Sequence, residues 1–383
     1  MNTSTDQQDP AESGLESNRR VIGTRRSFLR WTGVTALGVG VVAVGAKALT
    51  SGSSGSTPAS GATPGASLPS PVGTLPAQTR SLASTSSLDI AGITPLITPN
   101  DEFFRIDTAF SIPTVDLATW RLKVKGKVRT PLSFSYDDLL ALPQVEAPVT
   151  LACVSNRVGG TLIGTALWQG IELRTLLEQA GIEPGGEQIV GTSVDGFTAG
   201  FPTEAAFDGR SALLALGMNG VPLPRQNGFP VRLVVEGLYG YVASTKWLDS
   251  ISLTGWDEFN GYWIDQGWAK KGPIKMSSRI DVPRSGARQP AGVVTIAGVA
   301  WAPNAGVDAV EVRIDGEWRK ATLGDSVSGG VWRQWFYDWT ATKGEHEVAV
   351  RCISATGEVQ TGEVTPNAVD GFTGWETRTI TVT

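Results

Sequence analysis

The feature that most constrains the fold is a series of short alternating strands from about Ser278 to the C-terminus. Stretches such as "GVVTIAGVAWAP" and "VDAVEVRIDGEW" alternate apolar and polar residues, and glycine-containing turns separate them. Strands of this length at regular spacing, with no helical period among them, are typical of a two-sheet β-sandwich. We therefore predict an immunoglobulin-like sandwich over residues 278–383. Val348, Val350 and Cys352 share one face of a predicted edge strand, which indicates that Cys352 lies in its core.

A mixed pattern precedes the sandwich, over residues 88–277. "TWRLKVKGKV" and "VEAPVTLAC" predict strands, whereas "SYDDLLALP" and "IELRTLLEQAGI" predict helices that end before Pro143 and at Gly181. "FPVRLVVEG" is a continuous apolar run, which indicates a buried strand. Strands and helices do not alternate as βαβ units, so a doubly wound sheet is not expected. The predicted fold class is α+β for this domain, followed by the all-β sandwich.

Residues 1–48 resemble a twin-arginine export signal. "TRRSFLR" carries the arginine pair, an apolar run rich in Gly and Ala follows, and Ala46–Ala48 offers a cleavage site. The apolar run is short for a membrane span, which needs about 20 residues. We expect an exported, periplasmic or extracellular protein, whose signal is either cleaved or kept as a membrane anchor. Residues 49–87 are rich in Ser, Gly and Pro and predict a flexible tether.

The charge and the histidine count exclude several functions. The net charge is −5 with scattered Lys and Arg, so no affinity for nucleic acid is expected. His346 is the only histidine, which excludes zinc sites with several imidazoles in one chain, and we interpret it as a surface residue at the start of an edge strand. The sequence has no Cys-x-x-Cys-His motif for covalent haem, so we expect no haem. A redox protein of this kind would exchange electrons with another molecule.

Cys153 ends the apolar stretch "VTLAC", before a polar Ser-Asn pair and a double glycine. The residues alone leave four roles open: a buried packing residue, half of a disulfide with Cys352, a nucleophile, or a metal ligand. At a strand-to-loop junction the backbone can approach a ligand, and a thiolate suits a soft or high-valent metal. One cysteine cannot hold a metal alone, so the remaining ligands would come from a cofactor.

The stretch "CVSN" followed by "GGTLIGTALWQGIEL" resembles the signature of the sulfite oxidase family of molybdenum enzymes. "TPNDEFFRIDTAF", "PLPRQNGFPVRLVVEGLYGYVASTKWL" and "GPIKMSSRIDVP" resemble further family stretches, in the same order. The resemblance covers about residues 93–383. It implies a mononuclear molybdenum held by one molybdopterin, with Cys153 as the metal ligand. The family's second domain is often a dimerisation domain, which leaves a homodimer open.

The resemblance also implies which residues hold the cofactor. The phosphate of molybdopterin needs cations and backbone donors, and Arg232 and Lys246 stand in matching motifs. Their alternative roles are a solvated strand face for Arg232 and a surface position for Lys246. Asn227 stands where relatives often have a histidine. The remaining candidates for the cofactor pocket are Asn156, Tyr241, Ala243 and Ser244.

The substrate positions depart from the pattern of sulfite oxidases. Alignment of the Phe-Phe pair puts Ile106 where that family has the arginine that binds sulfite, and Asp107 and Thr108 follow. Val158 stands at the second arginine of the pattern. An aspartate in place of cations would disfavour an anionic substrate, because like charges repel strongly in a pocket of low dielectric constant.

Three charged residues are candidates for the altered substrate site. Asp107 is expected to position the substrate or to handle protons, with a pKa raised by burial if the pocket is dry. Arg105 takes the role of the missing cation if the register shifts by one residue, and Arg333 is a candidate from the second domain.

The sequence therefore predicts an exported molybdenum oxidoreductase that transfers an oxygen atom in a two-electron reaction. The resemblance leaves an S-oxide reductase and a divergent sulfite dehydrogenase open, and a neutral or cationic small molecule fits the altered site best. A cytochrome or a membrane quinone-linked protein would exchange the electrons. The alternatives from other classes are an exported β-sandwich binding protein that has lost the cofactor, and catalysis by a nucleophilic cysteine.

Overall fold

Strands form most of the chain that the computed structural model describes, which comprises residues 87–109, 111–365 and 369–383. The predicted export signal and all but the last residue of the predicted tether lie outside these residues. The described residues all fall in one compact unit. Every helix among them is too short or too polar to cross a bilayer.

The N-terminal region (residues 88–277) contains two sheets and the α-helices of the described chain. Its strands are β1 (Leu122–Gly126), β2 (Leu132–Phe134), β3 (Val145–Ala152), β4 (Ile163–Glu172), β5 (Gln188–Ser193), β6 (Thr198–Pro202), β7 (Ala212–Met218), β8 (Val221–Pro222), β9 (Arg232–Val235) and β10 (Leu248–Thr254). Its helices are α1 (Tyr136–Ala141), α2 (Leu173–Ala180) and α3 (Gly240–Ala243), with 3₁₀ turns at Thr203–Ala206, Arg225–Asn227 and Ile264–Gln266.

The two sheets of this region differ in strand order. One runs β2-β1-β10-β5-β6, with β1 and β10 parallel. The other runs β3-β4-β7-β8, and β9 pairs with β7. Strand β9 is buried along its whole length, as its continuous apolar run predicts. The three α-helices are short, so the region contains less helix than the predicted α+β class indicates.

The local sequence accounts for the helix ends. Ser135 caps α1: its Oγ accepts a hydrogen bond from the Asp138 backbone N–H, and the Asp138 carboxylate accepts one from the Ser135 N–H. This reciprocal pair satisfies donors that the first helical turn leaves free. Helix α2 ends at Gly181, whose φ of 68° lies in the left-handed region that glycine adopts without strain.

The C-terminal region (residues 278–383) contains two further sheets. Its strands are β11 (Ser277–Val282), β12 (Arg288–Gln289), β13 (Gly292–Trp301), β14 (Val307–Ile314), β15 (Glu317–Lys320), β16 (Thr322–Leu323), β17 (Arg333–Ala341), β18 (Gly344–Ser354) and β19 (Glu376–Val382). The sheet orders are β11-β13-β17-β16 and β12-β19-β18-β14-β15. Apolar residues from both sheets form one core, and Cys352 lies fully buried in it, as predicted.

Strand β18 is central, so the predicted edge position of the strand that contains His346 is wrong. It pairs with β19 on one side and β14 on the other. Alternation along a strand identifies its inward face but not its neighbours, which depend on long-range pairing.

The core of the N-terminal region extends into the C-terminal one. Val299, Trp301, Val331 and Trp332 belong to the same apolar cluster as residues of β1, β4 and β10. Trp332 is 2% exposed, and its indole N–H donates to the Leu96 carbonyl at 2.8 Å. The predicted domain boundary at residue 278 therefore crosses a shared core.

Candidate active site

Cys153 directly follows β3, at the start of the cysteine loop (residues 153–162). The loop is closed at its base, where the Cys153 N–H donates to the Leu162 carbonyl at 2.9 Å. Asn156 braces it from within: its N–H donates to the Cys153 carbonyl and its Oδ1 accepts from the Leu162 N–H, both at 2.9 Å. A Cβ on Gly160 would lie 2.6 Å from Asn156 Oδ1, so only glycine allows this packing. The sequence "CVSN…GG" thus builds a rigid support for the thiol.

The Cys153 thiol is free and half-buried, whereas Cys352 is free and fully buried. A disulfide between them, one of the four roles considered from the sequence, is therefore not formed. Burial raises the pKa of the Cys153 thiol, and hydrogen bonding at Ser155 opposes that increase. Tyr239 lies close enough for the Cys153 charge to affect it, and burial raises the pKa of this phenol to about 12.

Arg232 is a buried cation on β9. Its Nη1 donates to the Asn227 carbonyl at 3.0 Å and its Nε to the Leu233 carbonyl at 3.4 Å, while the guanidinium lies 4.9 Å from the centre of the Trp168 ring. No carboxylate among the described residues pairs with it. Burial lowers its pKa to about 9. The solvated strand face considered for Arg232 is therefore wrong.

Lys246 lies next to Arg232, across Gly228. A Cβ on Gly228 would be 3.1 Å from the Cβ atoms of both cations, and the φ of 117° at this residue requires glycine. Lys246 Nζ donates to Asp107 Oδ2 at 2.9 Å and to the Ile106 carbonyl at 3.1 Å. Burial, opposed by Asp107 and assisted by the charge of Arg232, lowers the Lys246 pKa to about 8. The surface position considered for Lys246 is also wrong.

The Asp107 carboxylate forms ion pairs with two cations. Arg105 Nε donates to the same Oδ2 atom at 2.8 Å, so one oxygen accepts from both Arg105 and Lys246. Burial alone would raise the Asp107 pKa, but these hydrogen bonds outweigh it and leave the pKa lowered. The raised pKa expected for a dry pocket is therefore wrong: Asp107 is an ionised partner of Arg105 and Lys246.

Two buried polar atoms near these cations have no hydrogen-bond partner in the described chain: Asn227 Oδ1 and Ser244 Oγ. Buried polar groups usually find a partner, and these two can bind the amino and ring nitrogens of a pterin. Together with buried Arg232 and largely buried Lys246 as cations for a phosphate, this donor and acceptor set fits molybdopterin. Ala243 ends α3, whose first residue, Gly240, lies beside Ala152 and so brings Ser244 toward the cysteine.

Other predicted residues lie in different surroundings. The Tyr241 hydroxyl donates to the Ala269 carbonyl at 2.6 Å and its ring contacts Trp268, so the hydroxyl is already engaged. Arg333 donates to the carbonyls of Gly324 and Val307, which places it within the C-terminal region. The structure therefore does not support Arg333 as a cation of the site.

Sequence reasoning missed Trp168, Phe103 and Tyr239. The Phe103 ring packs edge-on against Trp168 at 5.7 Å, and Trp168 also carries the Arg232 guanidinium. This aromatic contact anchors the segment that leads to Asp107. Trp168 and Tyr239 both lie within stretches that resemble family motifs, "TALWQG" and "GLYGY". The sequence does not show, however, which groups an aromatic side chain will contact.

Comparisons with known proteins identify the family of this chain. The family described as "Oxidoreductase molybdopterin binding domain" matches residues 109–263. Sulfite oxidase of Gallus gallus is 31% identical over 320 residues, which cover 70% of this chain and 69% of the relative. The chain belongs to the sulfite oxidase family. It is accordingly a molybdopterin-dependent oxidoreductase with a molybdenum cofactor, and the family resemblance found in the sequence is confirmed.

Two further comparisons define the extent of the likeness. Mitochondrial sulfite oxidase of Homo sapiens is 32% identical over 307 residues, which cover 67% of this chain and 55% of the relative. The chain thus spans about half of that longer protein. The crystal structure of the sulfane dehydrogenase SoxCD from Paracoccus pantotrophus matches with a TM-score of 0.66 and 23% identity, over 73% of this chain and 80% of that one. This second likeness concerns the fold.

Proposed function

We propose that the protein is an exported molybdenum oxidoreductase in which Cys153 ligates the metal, and that its substrate is not sulfite. The observation that carries the metal assignment is the braced, half-buried thiol at the end of β3, together with a buried Arg232 that has no carboxylate partner in the described chain. When bound, the cofactor supplies two-electron oxygen-atom transfer. Every other role falls to the side chains around it.

Arg232 and Lys246 hold the phosphate of the cofactor. An anion next to the buried guanidinium offsets the desolvation that lowers the Arg232 pKa, because a charge-assisted contact is strong where water is excluded. Asn227 and Ser244 bind polar atoms of the pterin through their unpaired oxygens. Asn156 acts on the loop, keeping the Cys153 backbone in one position. Tyr241 contributes its ring to the pocket wall.

The substrate we propose is a neutral sulfur compound, such as an S-oxide or its reduced form. Ile106 is 52% exposed and Val158 is half-buried, so the two positions that carry arginines in sulfite oxidases are neutral here. Asp107 is compensated by Arg105 and Lys246, so it does not by itself favour a cationic substrate. The two similar proteins, a sulfite oxidase and a sulfane dehydrogenase, are both named for sulfur compounds. A divergent sulfite dehydrogenase is the second candidate.

The assembly follows the same reasoning. A separate electron carrier, a cytochrome or a quinone-linked membrane protein, exchanges electrons with the centre. The two-sheet C-terminal region is immunoglobulin-like and serves homodimerisation, and the twin-arginine signal directs the protein out of the cytoplasm. The two sheet orders of the C-terminal region support the immunoglobulin-like fold, and the stretch "TRRSFLR" supports export. The family resemblance supports the homodimer and the electron carrier.

Metal analysis with electron paramagnetic resonance tests the metal site. Wild-type protein from a host that makes molybdopterin is expected to contain one molybdenum per chain, with a metal-thiolate signal that Cys153→Ser loses. Cys352→Ser is the matched control, because that thiol lies in the C-terminal core, and it should keep both metal and signal. Protein without molybdenum would support the binding-protein alternative. Thiol labelling of Cys153 without loss of metal would support the nucleophile.

Substrate turnover tests the proposed specificity. Wild type should convert neutral S-oxides with an artificial electron donor and use sulfite poorly. Ile106→Arg restores a cation at the exposed position and should lower the KM for sulfite, whereas Ile106→Leu should leave it unchanged. A low sulfite KM in the wild type would favour the sulfite dehydrogenase.

A further inference from the structure

The C-terminal region holds the far side of the cysteine loop. Arg279, on β11, is 5% exposed, and its Nη1 donates to the Gly160 carbonyl at 2.9 Å. The two residues are 119 positions apart in the sequence, so the contact joins the C-terminal region to the N-terminal one. It is a charge-assisted bond in a buried place, where such bonds are strongest.

The Arg279 guanidinium is fixed on its other edges. Its Nε pairs with Asp281 Oδ1 at 2.8 Å, and its Nη2 donates to Thr94 Oγ1 at 2.6 Å. Asp281 in turn accepts from the Thr94 backbone N–H at 2.9 Å. The Arg279 guanidinium therefore has partners for Nε and both Nη atoms, and its conformational freedom is small.

A second contact reinforces the first. A Cβ on Gly159 would lie 2.8 Å from the Glu376 carboxylate, so this glycine packs directly on that group. The Glu376 carboxylate accepts from the Ile280 N–H and from Arg378, both at 2.7 Å. Gly159 and Gly160 thus contact two side chains, Glu376 on β19 and Arg279 on β11, which are fixed by their own hydrogen bonds.

Displacement of Gly160 would be transmitted to the thiol. Gly160 packs against Asn156 Oδ1, and Asn156 bonds both to the Cys153 carbonyl and to the Leu162 N–H. The loop between the Arg279 contact and Cys153 therefore contains few degrees of freedom. Small loops tied at several points move as units rather than residue by residue.

We propose that Arg279 is a positioning residue for the metal thiolate: it acts through Gly160 and Asn156 to fix Cys153. The inference rests on the proposed ligation by Cys153, because it assigns Arg279 a role in the geometry of that bond. In this arrangement the C-terminal region contributes to the active site by supporting the cysteine loop. No other residue of that region among the described ones donates a side-chain hydrogen bond to the cysteine loop.

The first experiment measures Cys153 reactivity in the cofactor-free protein, with iodoacetamide as the probe. Arg279→Gln should increase the alkylation rate of Cys153 about tenfold, because the loop opens more often without its anchor. Arg279→Lys keeps one charged donor and should restore most of the protection. Cys352, fully buried, is the internal control for global unfolding. Arg333→Gln is the matched control, since Arg333 is likewise held by hydrogen bonds but its partners, the Gly324 and Val307 carbonyls, lie outside the cysteine loop.

The second experiment measures the metal-thiolate resonance signal of the loaded protein. Arg279→Gln is expected to broaden and shift that signal at unchanged molybdenum content, and Arg279→Lys to restore it. If Arg279→Gln fails to fold, Thr94→Val tests the same anchor, because it removes one bond from the guanidinium. Unchanged Cys153 alkylation and an unchanged signal in the Arg279 variants would overturn the inference. Absence of molybdenum from the wild type would instead overturn the proposed function, and the alkylation result would still report on the loop.

Discussion

Replacement of Arg232 by methionine distinguishes the effect of this buried cation on the stability of the protein from its effect on anion binding. Desolvation lowers the Arg232 pKa from 12.5 to about 9, which corresponds to about 5 kcal/mol at 1.36 kcal/mol per unit. The cost applies in full at neutral pH, because the guanidinium stays protonated below about pH 9.

Local contacts offset most of this cost. The 3.0 Å hydrogen bond to the Asn227 carbonyl contributes about 1.5–3 kcal/mol. The contact with the Trp168 ring at 4.9 Å contributes about 2 kcal/mol in a desolvated place. The bond to the Leu233 carbonyl is long, at 3.4 Å, and adds little. The net contribution of Arg232 to the stability of the cofactor-free protein is therefore close to zero.

Arg232→Met should change the free energy of unfolding of the cofactor-free protein by less than about 1 kcal/mol, because methionine fills a similar volume. The same variant should lose anion binding. Inorganic phosphate at ten times its Kd stabilises a binding protein by about 1.4 kcal/mol, and we expect this gain in the wild type and its absence in the variant.

Urea denaturation with and without phosphate measures both quantities, and molybdenum content after expression in a cofactor-competent host gives the functional result. The exposed Arg319→Met is the control and should retain the phosphate effect. A loss of more than about 3 kcal/mol in Arg232→Met, the range for breaking a buried ion pair, would contradict the small net contribution of Arg232. Retention of molybdenum by this variant would contradict its role in cofactor binding.

Three other predictions concern titration and packing. The hydrogen bond with Asp315 is the main cause that raises the His346 pKa. The bond should therefore stabilise the protein below about pH 6.5, and this stabilisation should disappear as the pH rises through the raised pKa. In Asp315→Asn, the free energy of unfolding from denaturation curves should depend less on pH. Asp107→Asn removes the carboxylate that opposes burial, so the Lys246 pKa should fall below about 8, as measured by NMR of the methylated amine. A Cβ on Gly170 would overlap a carbonyl of β7, so Gly170→Ala should lower stability by more than about 2 kcal/mol in a denaturation experiment, and an unchanged midpoint would contradict this packing.

Local patterns predicted the strands well, because burial of one face imposes its period directly on the sequence. "VEAPVTLAC" became β3 and "IELRTLLEQAGI" gave α2 with its glycine end. The pattern did not reveal that β18 is central, or that the helices stop after one or two turns. Both depend on contacts between segments far apart in the chain, which no local period records.

The site residues show the same limit. Family motifs located Arg232 and Lys246, but not the partnership of Lys246 with Asp107, 139 residues away. An isolated Asp107 carboxylate would disfavour an anionic substrate, but Arg105 and Lys246 both donate hydrogen bonds to its Oδ2 and compensate its charge. Sequence identifies the charged groups that are present. Their ionisation depends on which of them meet in three dimensions.

The indole of Trp332 has a consequence for how this protein can be divided. It is sealed within a cluster built largely by the other region, and its N–H is bonded to Leu96, near the start of the described chain. Division of the chain near residue 278 would therefore expose the Trp332 side chain on the C-terminal fragment. It would also leave an apolar cavity in the N-terminal fragment. The two regions should melt together in a single cooperative transition, and neither should be recoverable as a soluble, native piece.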